Sequence, residues 1–335
     1  MQLQILRTPT EFHALASEWN ALLVRSASNL PFLRHEYLTT WWNTLGGGEW
    51  ADGDLYIVLG RDENNTLQAI APFFIREKTI MLIGSFEISD YLDLIVPGDR
   101  LELFVTALME HLTGDSAPAW EVLDFYNLIE GSATLAALKA DAVQRGLTYT
   151  QERLQPAPRI ALAEDWEAYL ESIQGKQRRE IRRKLRRAES FYAPIDWYIV
   201  EDENRLDAEI DDFIALMAYD PEKEKFLTEV MSTQMRAAVH TAFRAGWLQL
   251  AFLTVAEEKA AAYLNFDFDN QIWVYNSGIN FKFQELSPGW VLLSYLIQWA
   301  IERGRTTFDM MRGDEVYKYR FGGVDQFVMR AQIRK

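Results

Sequence analysis

Three apolar runs in the second half of the chain, Leu248–Val255 (LQLAFLTV), Ala260–Asp267 (AAAYLNFD) and Gln271–Asn276 (QIWVYN), are separated by only a few polar residues. Runs of this length, rich in branched and aromatic side chains and broken at Glu257-Glu258-Lys259 and Asp269-Asn270, predict three strands joined by tight turns. After a loop over Ser277–Leu286 and the sequence Ser287-Pro288-Gly289, the spacing predicts a strongly apolar helix over Trp290–Arg303. Gly304 ends it, and Thr306–Met311 (TTFDMM) reads as another strand. A meander followed by strand, helix and strand defines a mixed α/β unit.

The first half gives the same order. Phe12, Leu15, Trp19, Leu22 and Leu23 lie at helical spacing within Thr10–Val24, and a short helix is expected between Pro31 and Trp41-Trp42. Gly46-Gly47-Gly48 reads as a flexible turn. Leu55–Leu59 and Ala69–Ile75 read as a hairpin around Asp62-Glu63-Asn64-Asn65. Strand Tyr91–Val96, turn Pro97-Gly98, helix Leu101–Leu112, strand Trp120–Tyr126 and helix Ser132–Arg145 follow. The Pro-rich segment Leu154–Arg159 is the expected boundary, giving domains 1–157 and 158–335. The second half opens with a helix from Asp165, kinked at Gly175, that runs into a basic segment at 175–188. A strand at Ile195–Val200 and helices at Glu203–Tyr219 and Thr228–Gly246 complete it. The two halves share an order of elements but do not align residue by residue.

A length of 335 residues suits two domains, each with its own core. No cysteine is present, which excludes disulfides, thiolate catalysis and cysteine metal sites. Four scattered histidines give no metal-site spacing, so no metal is expected. The start MQLQILRTPTEF lacks the basic and apolar regions of a signal peptide, and no apolar run reaches the roughly 18 residues of a membrane span. The expectation is a cytoplasmic protein. A net charge of −15 argues against DNA binding, yet Lys176–Arg187 (KQRREIRRKLRR) gathers eight of the 34 basic residues beside one acid.

Four constellations could carry chemistry. In the first, Val274-Tyr275-Asn276-Ser277-Gly278, a strand passes through a glycine turn and on to Ser287-Pro288-Gly289-Trp290. A helix start exposes free N–H groups and a positive dipole end, a place for a pyrophosphate, although Ser at N-cap and Pro at N1 are also ordinary helix-start residues. In the second, Asp309, Arg312, Asp314, Glu315, Tyr317 and Lys318 crowd one connection. Carboxylate, phenol and ammonium together supply the types needed for a base, an acid and an orienting charge, or else simply pair at the surface. The third is the basic helix, with Ile173, Ile181, Leu185 and Ala188 as its apolar stripe. It is either a solvated helix or a cradle for CoA phosphates, a phosphosugar or a tRNA backbone. The fourth, Ser89-Asp90-Tyr91-Leu92-Asp93, joins two carboxylates and a phenol at a strand start.

Taken in order, Pro31-Phe32-Leu33, Tyr37, Trp41-Trp42, Ser89-Asp90-Tyr91-Leu92-Asp93, the basic helix, Ser287-Pro288-Gly289-Trp290 and Arg312-Gly313-Asp314-Glu315-Val316-Tyr317-Lys318 resemble the CelD-like branch of the GNAT acyltransferases. That branch is named for cellulose-biosynthesis proteins and is related to the FemAB peptidyltransferases. The resemblance implies two tandem GNAT-like domains packed around a shared cleft. The second would hold acyl-CoA, and the first would hold no donor. It implies a splayed strand at Ile272–Asn276 and a pyrophosphate loop at Leu286–Trp290, so that Tyr275, Asn276, Ser277, Ser287, Gly289 and Trp290 would meet the acetyl-CoA. With Gly289 as first glycine of the family's loop pattern, Leu286 replaces the usual Arg or Gln, and Val291 the usual second Gly or Ala.

The resemblance further implies direct attack of an amine on a thioester, with N–H groups near Asn276 stabilising the oxyanion. Asp309 or Glu315 would be the base, Tyr317 would protonate the thiolate, and Asp90, Tyr91, Asp93, Arg179, Arg183, Arg312 and Lys318 would bind a small polar or glycan-precursor acceptor such as an amino sugar. Two alternatives stand beside this: aminoacyl transfer from tRNA, as in FemAB proteins, and a catalytically silent scaffold of an exopolysaccharide-synthesis complex with a partner surface at Trp41, Trp42 and Trp50.

Overall fold

In a computed structural model, the described residues are 1–335 apart from 45, 47–49, 51, 85 and 86. Gly47 and Gly48 of the glycine turn lie outside them. The chain divides into two compact units: unit 1 comprises Met1–Gln155 with Phe327–Lys335, and unit 2 comprises Pro156–Gln326.

Unit 1 contains β1 (Gln2–Leu6), α1 (Pro9–His13), α2 (Ala16–Leu23), α3 (His35–Asn43), β2 (Asp54–Arg61), β3 (Leu67–Arg76), β4 (Thr79–Leu82), α4 (Leu101–Thr113), β5 (Val122–Ile129), α5 (Ala133–Gln144) and the start of β6 (Thr148–Ala161). Unit 2 takes the end of β6 and then α6 (Trp166–Ser172), α7 (Gly175–Glu189), β7 (Ile195–Ile199), α8 (Glu203–Met217), α9 (Pro221–Phe226), α10 (Glu229–Arg244), β8 (Leu248–Val255), β9 (Glu258–Phe268), β10 (Gln271–Ile279), α11 (Pro288–Glu302), β11 (Thr307–Asp309) and α12 (Val316–Arg320). The last strand, β12 (Val324–Arg334), starts in unit 2 and runs into unit 1.

The strand pairings of the two units repeat one design. In unit 1, β1, β2, β3 and β4 are antiparallel neighbours, β5 lies parallel to β4, and β12 lies antiparallel to β5. In unit 2, β7, β8, β9 and β10 are antiparallel, β11 lies parallel to β10, and β6 lies antiparallel to β11. In each unit the parallel pair is joined through an apolar helix, α4 or α11.

The meander of unit 2 is buried on both faces, as its alternation dictates. Ala251, Leu253, Ala261, Tyr263, Ile272 and Val274 pack toward α7 and α11, through Ile181, Leu292, Leu293, Leu296 and Ile297. Leu250, Phe252, Ala262 and Leu264 point the other way, onto Leu206, Ile210, Phe213 and Met217 of α8 and Met235 and Val239 of α10. Thr228 caps α10 through its side chain, and Gly246 ends that helix at φ +77.

Several segments differ from expectation. Thr10–Val24 forms two helices, α1 and α2, and the helix from Asp165 breaks at Ile173–Gln174. Tyr91–Val96 makes one bridge, Ile95 to Ile70, instead of a strand. Leu154–Arg159 lies inside β6. Its prolines give no N–H, but Pro156 and Pro158 offer their carbonyls to Gly313 and Met310 at 2.9 Å each. There is no turn at Gly278, because β10 continues to Ile279. A Cβ on Gly278 would lie 2.6–2.7 Å from the Leu216 and Met217 backbone, so glycine lets α8 approach the strand. Among the described residues no helix is long and apolar enough to cross a membrane.

Candidate active site

The site forms where β10 and β11 part. Their parallel register covers Gln271–Thr307, Ile272–Phe308 and Trp273–Asp309 and stops there. Beyond it, β10 stays with β9 through Ile279, with a bulge at Tyr275, while the chain after β11 follows β6 through Met310 and Gly313. A bulge adds one unpaired residue and increases local twist, which turns the strand away from its former neighbour. Tyr275 itself packs on Phe266, ring centroids 5.1 Å apart.

Two polar groups line the freed part of β10. The Asn276 Oδ1 accepts the Ser277 N–H at 2.8 Å and the Lys223 ammonium at 2.9 Å. The same ammonium reaches the Ser277 carbonyl at 2.5 Å. Across from them, Met311 and Gly313 hold positive φ, and the ammonium of Lys318 binds the carbonyls of Met311, Arg312 and Gly313 at 3.2, 2.6 and 3.4 Å. Glu315, the N-cap residue of α12, adds a carboxylate 2.9 Å from Lys318 and lies over Gly313. Lys318 is buried, whereas Glu315 keeps more than half of its side chain exposed. Tyr317 is half-buried. Burial, reinforced by the charge of Glu315, pushes its phenol well above the usual tyrosine range. Burial does the same to Tyr263, which also feels Tyr317 and Glu315.

The start of α11 carries a second cluster. Ser287 sits in the left-handed region at φ 55 and makes no capping bond with its side chain. Its Oγ instead accepts from Lys184 of α7 at 2.6 Å, and the Lys184 ammonium also lies 4.7 Å from the Trp290 ring centre. Arg187 holds the Glu285 carbonyl at 2.6 Å. Gly289 is buried, and a Cβ there would meet the Ile279 side chain at 2.7 Å, so this glycine seats the helix on the end of β10. A lysine, a serine hydroxyl and a helix start form a donor set that fits a phosphate. Lys184 lies on the buried stripe Ile181, Leu185, Ala188. A cation inside an apolar stripe is the signal that sequence reading could have used. Lys223 gave no such signal, since Pro-Glu-Lys-Glu-Lys-Phe reads as a solvated charge run.

Other candidates have other surroundings. Asp309 is fully buried and ion-paired with Arg159 at 2.9 Å, on the directly opposite residue of β6, and accepts the Met311 N–H at 2.8 Å. Asp124 of unit 1 has the same environment: it is the last residue in register with β4, and Arg330 of β12 grips it at 2.6 and 2.9 Å. On α7, Arg179 is exposed and Arg183 pairs with Glu180 at 2.7 Å. Arg312 is half-buried beside Lys318.

In unit 1, Tyr91 is buried near Phe32, and Asp93 is buried under the hydroxyls of Ser28 and Ser132 at 2.6 Å each. Asp90 is half-buried in the same segment. This segment lies along β5, where Leu92 donates to the Asn127 carbonyl at 2.8 Å and Asn127 to the Ser89 carbonyl at 2.7 Å. It therefore runs beside the part of β5 that lies past its register with β4. Trp41, Trp42 and Trp50 form an aromatic cluster on Phe74, with Trp41 fully buried. Among the described residues no group of histidine, aspartate or glutamate is arranged to hold a metal.

A meander, a bulged strand splayed from a parallel neighbour, and a cationic helix start after that strand are the elements of a GNAT-like fold. Residues 175–319 match the family model of the acetyltransferase (GNAT) domain. The whole chain resembles three solved structures. FemX aligns over 99% of this chain and 97% of its own at TM-score 0.65 and 11% identity. L-PGS from Bacillus licheniformis aligns over 97% and 91% at 0.58 and 14%. A tandem GNAT protein from the clavulanic acid biosynthesis pathway aligns over 98% of both chains at 0.50 and 9%. The fold is thus a mixed α/β fold of the tandem GNAT type. No curated protein matches the chain in sequence.

Proposed function

We propose that unit 2 transfers an acyl group from coenzyme A to the amine of a small polar acceptor. The observation that carries this reading is the parting of β10 from β11 after Trp273, which exposes a strand edge ending at the cationic start of α11. The pantetheine arm lies along Tyr275–Ser277, and the pyrophosphate meets Lys184, Ser287 and the N–H group of Gly289. Glu315, exposed and beside Lys318, takes the proton of the acceptor amine directly or through water. Tyr317, held protonated, returns a proton to the leaving thiolate. Lys318 keeps the loop between β11 and α12 folded around Glu315. Asp309, locked to Arg159, serves the sheet. Unit 1 binds no donor because its own segment 88–96 runs beside β5 past the register with β4. The acceptor class, an amino sugar or envelope precursor, rests on the CelD-like resemblance alone.

A second reading is aminoacyl transfer from tRNA, favoured by the exposed arginines Arg179 and Arg186 of α7. Thermal unfolding with CoA and acetyl-CoA separates the two. At about 100 times its dissociation constant, a ligand stabilises the native state by about 2.7 kcal/mol. A clear upward shift that Lys184→Met reduces supports the CoA reading. No shift with either compound rejects it in favour of aminoacyl-tRNA.

A further inference from the structure

The Lys223 ammonium is the one charge set directly against the freed edge of β10 in the contacts described above. Its three partners, Asn276 Oδ1 at 2.9 Å, Ser277 O at 2.5 Å and Ser277 Oγ at 3.4 Å, are all neutral oxygens. Asp220 and Glu315 attract it only through space, and Lys318 repels it. Removing a cation from water without a contacting carboxylate is unfavourable, and burial accordingly lowers the proton affinity of this lysine. An anion arriving with substrate would supply the missing partner.

A second observation says which anion. Acyl transfer needs a donor for the negative charge on the carbonyl oxygen. One backbone candidate on the freed edge, the Ser277 N–H, is already spent on the Asn276 side chain at 2.8 Å. Lys318 is committed to three loop carbonyls and Glu315. Lys223 grips the same Asn276 oxygen that has taken up the Ser277 N–H, and so holds a charged donor beside the one that is engaged.

We propose that Lys223 is a catalytic residue whose ammonium stabilises the oxyanion of the acyl carbonyl. This rests on the acyl-CoA reading of unit 2. The amine nitrogen bonds to the acyl carbon, and the carbonyl π pair moves onto oxygen, facing Lys223. The pair then returns, the carbon–sulfur bond breaks, and sulfur leaves with its electrons. The amine proton passes to Glu315 and the Tyr317 proton to sulfur; a proton then returns from Glu315 to Tyr317 through water, so no further reactant is consumed.

The test is calorimetric binding of CoA and of S-carboxymethyl-CoA, a thioether that cannot be transferred and carries a carboxylate at the acyl end. The wild-type protein should prefer S-carboxymethyl-CoA by about tenfold or more, the worth of one charge-assisted hydrogen bond. Lys223→Gln keeps a hydrogen-bond donor for Asn276 and Ser277 but removes the charge. It should lose the preference while binding CoA within about twofold of wild type, which also shows that the site is folded. Lys223→Arg should keep most of the preference. A wild-type protein without the preference, or a Lys223→Gln protein that retains it, overturns the proposal and leaves the CoA reading standing. Failure of the wild-type protein to bind CoA at all overturns both.

Discussion

Replacing Asp309 by asparagine separates its two possible duties, strand lock and proton acceptor. The carboxylate lies 2.9 Å from the Arg159 guanidinium and is fully buried. At an effective dielectric of about 20, that separation gives a gross attraction of about 6 kcal/mol. Arg159 keeps 29% of its side chain exposed, and desolvation of the carboxylate offsets much of the remainder. The net coupling is then about 1–3 kcal/mol. The single change costs about 3 kcal/mol, because the guanidinium stays half-buried without its counter-charge. Urea unfolding of wild type, Asp309→Asn, Arg159→Gln and the double variant yields the coupling as a double-mutant cycle. Acyl transfer measured below the unfolding transition should fall by less than about tenfold, since no proton moves through this carboxylate in our reading. Unchanged stability together with a loss of turnover beyond about a hundredfold would refute the strand-lock reasoning and make Asp309 the base.

Gly278→Ala should destabilise the protein by about 1–3 kcal/mol, because the new methyl meets backbone of α8 rather than a side chain that can swing aside. A change below about 0.5 kcal/mol in urea unfolding would mean that α8 does not rest on β10 as described. Tyr317 bears on alkaline stability. Its phenol stays protonated in the native state above pH 10, where the unfolded chain has released that proton, so the native state binds more protons and stability falls as pH rises. The slope for one such group is about 1.4 kcal/mol per pH unit. Tyr317→Phe should flatten the fall measured from about pH 10 upward by that much, and an unchanged slope would show that the phenol ionises freely in the folded protein.

What the sequence revealed depended on whether a residue's partner lies nearby in the chain. The three strands of the unit 2 meander and α11 were legible because their alternation and helical spacing follow from burial on known faces. Strand β12 was not, since its pairing partner in unit 1, β5, lies about two hundred residues earlier. Tyr91–Val96 failed in the opposite sense. Its apolar residues are buried as a strand's would be, but only Ile95 finds a ladder partner. The loop around Glu315, Tyr317 and Lys318 was visible as a crowd of reactive types, yet not the assignment of Lys318 to loop carbonyls. Lys223 and Lys225 could not be told apart, although one sits on the freed strand edge and the other pairs with Glu222 at the surface. The twin locks, Asp124 with Arg330 and Asp309 with Arg159, explain why VLDF and TFDM share an aspartate where little else aligns.

Because residues 327–334 complete the sheet of unit 1, that unit cannot finish folding in the order in which it is synthesised. After Gln155 is made, the ribosome still has to add unit 2 before the matching strand exists. At ordinary elongation rates this takes about 10–35 s. Throughout that interval β5 presents an open edge, and Asp124 lacks the arginine that neutralises it. An unpaired edge is a template for association with other chains, so the nascent protein is open to such pairing until β12 is made. A chain that stops anywhere in unit 2 would keep that edge of β5 unpaired and Asp124 without its arginine.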